Sequence, residues 1–147
     1  MNWTAIVPFK QPGSRKTRLA GRLSEADRTR LSEWMFAHVL AVLQQSPSIT
    51  TIAVLGAKRP AGWDGLWLQD QSRGLNAELT AAHETLDDSG LLVIHADLPL
   101  LSVDDVEALL GAAVSGCALA PDRHGTGTNA LALSRFGPFD FSFGDGS

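Results

Sequence analysis

In the segment LLVIHADLPLL, residues 91–101, a run suited to a buried β-strand ends on a carboxylate, Asp97, and Pro99 closes the ladder behind it. An acid at the mouth of a buried strand suits a hard divalent cation, because Mg²⁺ is held by one or two carboxylates together with substrate phosphates. Aspartate before a turn is also a common structural choice. Ser102, five positions on, already supplies the cap of the next helix, so Asp97 is not needed there.

A second cluster could hold the phosphates. KQPGSRKTRLA, residues 10–20, sets Lys10, Arg15, Lys16 and Arg18 around Gly13 and Ser14. A solvated basic loop is the commoner fate of such a run. As a phosphate cradle, its glycine would admit close backbone approach while its cations neutralise charge. It is not a P-loop, because Lys10 and Arg15 stand where that motif needs glycine, and it lacks the spaced glycines of a dinucleotide fingerprint. In RGLNAEL, residues 73–79, Gly74 precedes a helix start. Asn76 could cap that helix or hydrogen-bond a base or sugar. PDRHGTGTNAL, residues 121–131, reads as a hairpin or crossover loop. It also gathers hydroxyls and backbone N–H groups as an anion site would. His38, His83, His95 and His124 lack the i, i+4 pairing of a helical metal site. His95 and Asp97 would face one side of a continuing strand. No G-x-S-x-G elbow supports a serine hydrolase.

The elements that must position these residues follow from composition and periodicity. The 147 residues, 44% hydrophobic, suit one domain with a real core. A net charge of −4 argues against bulk nucleic-acid binding. The lone Cys117 excludes an internal disulfide and argues against a cysteine zinc site. No apolar run reaches the length of a membrane span, and MNWTAIVPFK is not a signal peptide, so a soluble cytoplasmic protein is expected. Strands are expected at 4–9, 50–55, 66–69, 91–96, 117–121 and 129–134. Helices are expected from Ser24 to about Gln45, after Gly74, and after Ser102, where Asp105 completes a capping box. Leu31, Trp34, Met35, His38, Val39 and Val42 form one helical stripe, read as core packing, with a homodimer face as the other reading. Leu75, Leu79, Ala82 and Leu86 line the second helix, with Gly90 as its C′ residue. Continuously apolar strands alternating with helices predict a three-layer α/β/α domain on a mostly parallel, mixed sheet. In such sheets ligands bind beyond the carboxyl ends of the strands.

Taken in order, VPFKQPGSRKTRLA, LSEADRTRL, GLNAEL, ADLPLL, PDRHGTGTNAL and FGDGS resemble the phospholactate guanylyltransferase family of coenzyme F420 biosynthesis, over nearly the whole chain. The combination of K-T-R-L-A, D-L-P and G-T-G-T-N is far more specific than any one piece. The resemblance implies a Rossmann-like, glycosyltransferase-A-like nucleotidyltransferase fold. It implies GMP transfer from GTP to 2-phospho-L-lactate, phosphoenolpyruvate or 3-phospho-D-glycerate, with release of pyrophosphate. By the same resemblance Lys16 and Arg18, with Lys10 in the same basic loop, hold the triphosphate. Gly74, Leu75 and Asn76 line the nucleotide pocket, and Asp97 binds Mg²⁺. Thr128, Gly144 and Ser147 hold the phospho-acid.

Two departures stand out. Arg15 replaces the small residue usual before K-T-R. The family also continues beyond the position of Ser147 into an acidic D-x-D-T-P stretch, so one domain over 1–147 without that segment is expected, with weak or absent catalysis and some GTP binding retained if the chain ends there. The alternatives are a molybdenum-cofactor or sugar-phosphate nucleotidyltransferase, which the missing L-x-G-G-x-x-x-R loop disfavours, and a GTP-binding remnant. Mg²⁺ dependence of GTP binding separates a working site from a remnant.

Overall fold

The computed structural model describes residues 2–9, 24–85, 90–134 and 139–143. Among them the order is β1 (Trp3–Pro8), α1 (Glu25–Gln45), β2 (Ile49–Gly56), β3 (Leu66–Gln69), α2 (Leu75–Thr85), β4 (Gly90–Ile94), α3 (Val103–Ala112), β5 (Cys117–Pro121) and β6 (Thr128–Leu133). The strands form one sheet in the order β3-β2-β1-β4-β6-β5. The first four are parallel, and β6 runs antiparallel to both β4 and β5. This is the expected mixed α/β architecture.

The two faces of the sheet are covered by different helices. Trp3, Ala5, Val7, Leu92, Ile94, Ala130 and Ala132 pack with Val39, Leu43, Val106 and Leu110 of α1 and α3. Ile6, Leu91, Val93, Leu131 and Leu133 pack with Leu79 and Ala82 of α2 and with Phe141. The alternation is the period-two geometry of a strand buried on both sides. Full burial of each leucine or valine contributes about 1.5–3 kcal/mol. Every residue of β4 is buried, so this strand anchors whatever its carboxyl end carries.

Helix starts follow their caps. Ser24 accepts from the Asp27 N–H at 3.1 Å. Ser102 and Asp105 exchange reciprocal bonds at 3.0 and 3.1 Å in a capping box. Two expectations change. Trp34 is 57% exposed, and the buried face of α1 is Ser32, Met35, Phe36, Val39, Val42 and Leu43, rotated about one residue from the expected stripe. Phe36 takes the inward place because Phe9, at the end of β1, stacks on it with centroids 4.0 Å apart. Gly90 does not act as a helix C′ residue; it opens β4 opposite Trp3. A Cβ there would lie 2.5 Å from the Trp3 indole, so the glycine makes room for a buried tryptophan.

Candidate active site

Strand direction gathers the candidate residues. β1 to β4 are parallel, so their carboxyl ends share one edge of the sheet. Because β6 is antiparallel and Ala130 pairs with Ile94, its first residue, Thr128, lies at that same edge. The edge therefore receives Asp97 after β4, Gly74–Asn76 after β3, and Thr128.

Asp97 is exposed and lies three residues beyond the end of β4. The expected strand through His95 and Asp97 stops short: after His95 N–H reaches the Asn129 carbonyl at 3.1 Å, the chain leaves the sheet. The cause is the turn around Pro99, closed by Leu101 N–H on the Leu98 carbonyl at 3.3 Å. His38 on α1 donates from Nε2 to the Leu101 carbonyl at 2.8 Å. Its ring also stacks on Trp34, with centroids 5.8 Å apart. His38 is thus neither wholly core nor idle; it ties α1 to the turn that follows Asp97.

The approach to α2 is built around a buried acid that the sequence reading passed over. Glu78 is 2% exposed. Its Oε1 accepts from Arg73 Nε at 2.7 Å, and its Oε2 from Nη2 at 3.3 Å. The same carboxylate accepts backbone N–H groups from Gln71 and Arg73. The bond from Arg73 holds the Glu78 carboxyl below its ordinary range, against the upward push of burial. Ahead of α2, Gly74 has φ +95°, a conformation glycine adopts freely, and its carbonyl receives the first helical bond from Glu78 N–H at 3.0 Å. Asn76, in the first turn of α2, is not the cap. Its Nδ2 donates to the Phe143 carbonyl at 3.1 Å, and its Oδ1 accepts the Phe143 N–H at 2.8 Å.

The loop between β5 and β6 is a hairpin loop that supplies its own anion. Asp122 Oδ1 accepts N–H groups from His124 at 3.0 Å and Thr126 at 3.1 Å. Asp122 N–H in turn reaches the Gly127 carbonyl at 2.8 Å. Desolvation pushes the Asp122 carboxyl upward, but the backbone N–H groups of residues 124–127 together outweigh it and lower the pKa. The expected nest of N–H groups is therefore turned inward, onto Asp122. Thr128 stands just beyond it. Thr128, Leu131, Phe139 and Phe143 line a small pocket of about 130 Å³, with Asp140 and Ser142 also on its wall.

Lys10, Lys16, Arg18, Gly144 and Ser147 lie outside the described residues. The residue before Lys10 is fixed: Phe9 N–H donates to the Leu55 carbonyl at 2.8 Å while its ring stacks on Phe36. Among the described residues no three His, Cys, Asp or Glu side chains form a metal-binding group. Sequence signals for the organising acids existed in principle. Asp122 precedes a Gly-x-Gly loop, and Glu78 follows a glycine at a helix start.

A family model for guanylyl transferases, described as CofC-like, matches residues 3–147. The chain is 35% identical to a phosphoenolpyruvate guanylyltransferase of Chloroflexus aggregans, over 94% of this chain and 75% of that enzyme. Its fold matches a solved structure assigned to the nucleotide-diphospho-sugar transferases, from Desulfovibrio desulfuricans G20, with a TM-score of 0.76 at 16% identity. That match covers 91% of this chain and 64% of the other. It also matches 2-C-methyl-D-erythritol 4-phosphate cytidylyltransferase from Thermus thermophilus, with a TM-score of 0.53 at 23% identity, over 94% of this chain and 64% of that one. No helix among the described residues is long and apolar enough to cross a membrane. A mixed six-stranded sheet that delivers its motifs to one edge, and a family match over almost the entire length, place this chain among the CofC-like guanylyl transferases.

Proposed function

We propose that this chain transfers GMP from GTP to a three-carbon phospho-acid, with phosphoenolpyruvate as the first candidate, in the biosynthesis of coenzyme F420. The observation that carries the reading is the convergence of Asp97, Gly74–Asn76 and Thr128 on one sheet edge. The name of the Chloroflexus relative favours phosphoenolpyruvate among the acceptors. In the reaction an oxygen of the acceptor phosphate attacks the α-phosphorus of GTP. A new P–O–P bond forms, the α–β bridge breaks, and pyrophosphate leaves with the bonding electrons.

The acceptor oxygen is already ionised, so no protein nucleophile is required. The work of the chain is positioning and charge compensation. Lys10, Lys16 and Arg18 would clamp the triphosphate and the departing pyrophosphate. Gly74, Leu75 and Asn76 would line the nucleotide side, and Thr128, with Gly144 and Ser147, the acceptor side. Asp97 fits Mg²⁺, being an exposed carboxylate on a short tether to a wholly buried strand, with substrate phosphates to complete the shell. When bound, Mg²⁺ would neutralise charge on the phosphates.

The test is pyrophosphate release with GTP and Mg²⁺, offering phosphoenolpyruvate, 2-phospho-L-lactate and 3-phospho-D-glycerate separately, with product mass checked. Release with phosphoenolpyruvate, reduced at least ~100-fold in Asp97→Ala, is expected. A folded chain that turns over none of the three acids, both as it stands and extended through the family's C-terminal segment, would overturn the proposal.

A further inference from the structure

We infer that Asn76 acts as a positioning residue, joining the nucleotide-side turn of α2 to the wall of the acceptor pocket. The inference rests on the guanylyl-transfer reading for the naming of the two sides, but its geometry is independent of that reading. One side chain takes both main-chain groups of one distant residue: the Asn76 amide donates to the Phe143 carbonyl at 3.1 Å and accepts its N–H at 2.8 Å. The amide orientation is fixed by this pair, since exchanging O and N would set donor against donor and acceptor against acceptor.

Phe143 is also held from the other side. Its ring meets His95 edge-on, with centroids 5.3 Å apart at 88°. His95 N–H in turn bonds the Asn129 carbonyl at 3.1 Å, next to Thr128. Phe143, Phe139 and Thr128 share the pocket of about 130 Å³. The first turn of α2, which Gly74 opens, is therefore pinned through a single amide to a wall of that pocket. A shift of this turn on nucleotide binding would be passed to Phe143, and thermodynamic linkage makes such coupling reciprocal. A wall misplaced by about 1 Å can cost about 100-fold in rate.

The experiment combines two readouts on wild type, Asn76→Ala and Asn76→Asp, with Thr80→Ala as control. Thr80 lies one turn along the same helix and bonds the Asn76 carbonyl, not Phe143. The first readout is hydrogen exchange of the peptide covering residues 139–143, which needs no turnover. The second is initial rates over a grid of GTP and phosphoenolpyruvate concentrations. In Asn76→Ala, exchange at Phe143 is expected to speed at least 10-fold, and KM for phosphoenolpyruvate to rise at least 10-fold while KM for GTP moves less than 3-fold. Asn76→Asp keeps the acceptor oxygen but loses the donor, so it is expected to fall between wild type and alanine, and Thr80→Ala to match wild type. Unchanged exchange in both Asn76 variants, or a rise confined to KM for GTP, would overturn the inference and make Asn76 a nucleotide contact. If wild type turns over no acid even when extended through the family's C-terminal segment, the guanylyl-transfer reading fails, and the exchange arm still decides whether the clamp exists.

Discussion

Two loops at the same edge of the sheet are each organised by an acid that accepts backbone N–H groups, yet they differ in what balances the charge. In the first turn of α2, Glu78 is buried and carries a cation, Arg73 of the preceding loop, with which it shares two bonds. Between β5 and β6, Asp122 is half-buried and its acceptor oxygens are turned onto the main-chain N–H groups of its own loop. A buried carboxylate needs a counter-charge or a dense set of donors, and a partly solvated one can rely on peptide dipoles and water. The first arrangement fixes a turn that must hold glycine at φ +95° ahead of a helix. The second only has to keep a short hairpin compact, so that Thr128 opens β6 opposite Pro121.

The largest test of this difference is Glu78→Ala. It should lower stability by about 2–3 kcal/mol, because charged hydrogen bonds are lost at a buried site, with Arg73 able to reach water afterwards. Thermal unfolding and KM for GTP should both respond, and an unchanged melting temperature would show that the turn stands without its acid. Next comes Gly74→Ala. Open space surrounds that position, so the cost is conformational, about 1–2 kcal/mol, and circular dichroism melts would read it. Acid titration of wild type against Glu78→Gln gives the pH arm. The folded Glu78 carboxyl lies below its ordinary range, so its contribution is complete above the unfolded pKa and fades as pH falls through the folded one. The melting-temperature advantage of wild type should therefore hold from neutrality down to the ordinary carboxylate range and shrink below it. An advantage that grows on acidification would reverse the assigned sign. Asp122→Asn should show the same direction with a smaller amplitude. It should also resist added salt better than the Arg73–Glu78 pair, whose arginine is 50% exposed. The smallest effect is expected from Gly127→Ala, where a Cβ would come 2.9 Å from Asp122 Oδ2 and the carboxylate could give way.

Much of the architecture was legible because it depends on local signals. Ser24, Ser102 and Asp105 sit where capping chemistry demands, and the apolar runs of β1, β2 and β4 reported burial on both faces. Trp34 was misplaced because it falls on the i, i+3, i+4 stripe that starts at Leu31, while the helix phase was decided by Phe9 stacking on Phe36, a contact between separate elements. Asp97 was placed at the correct edge because strand direction alone fixes that. Asn76 was legible as a polar residue at a helix start, but its bond to Phe143 spans 67 positions and no spacing rule reports it. Glu78 and Asp122 bond within their own turns, two to five positions away, so their signals were local, a glycine before a helix start and a Gly-x-Gly loop, and were passed over.

The order of pairing in the sheet also governs how this edge comes into being. Trp3 pairs with both Ile49 and Gly90, and Ile94 pairs with Ala130, so the two ladders of β4 close only after long stretches of chain have been synthesised and searched. Such non-local pairing, parallel with β1 and antiparallel with β6, is slow relative to helix formation, because loop entropy is spent before contacts repay it. The helices can gain structure early, while the edge carrying Asp97 and Thr128 is assembled only when the central strand docks between β1 and β6. Until then β4, apolar on both faces, is the segment whose exposure most invites association with other chains.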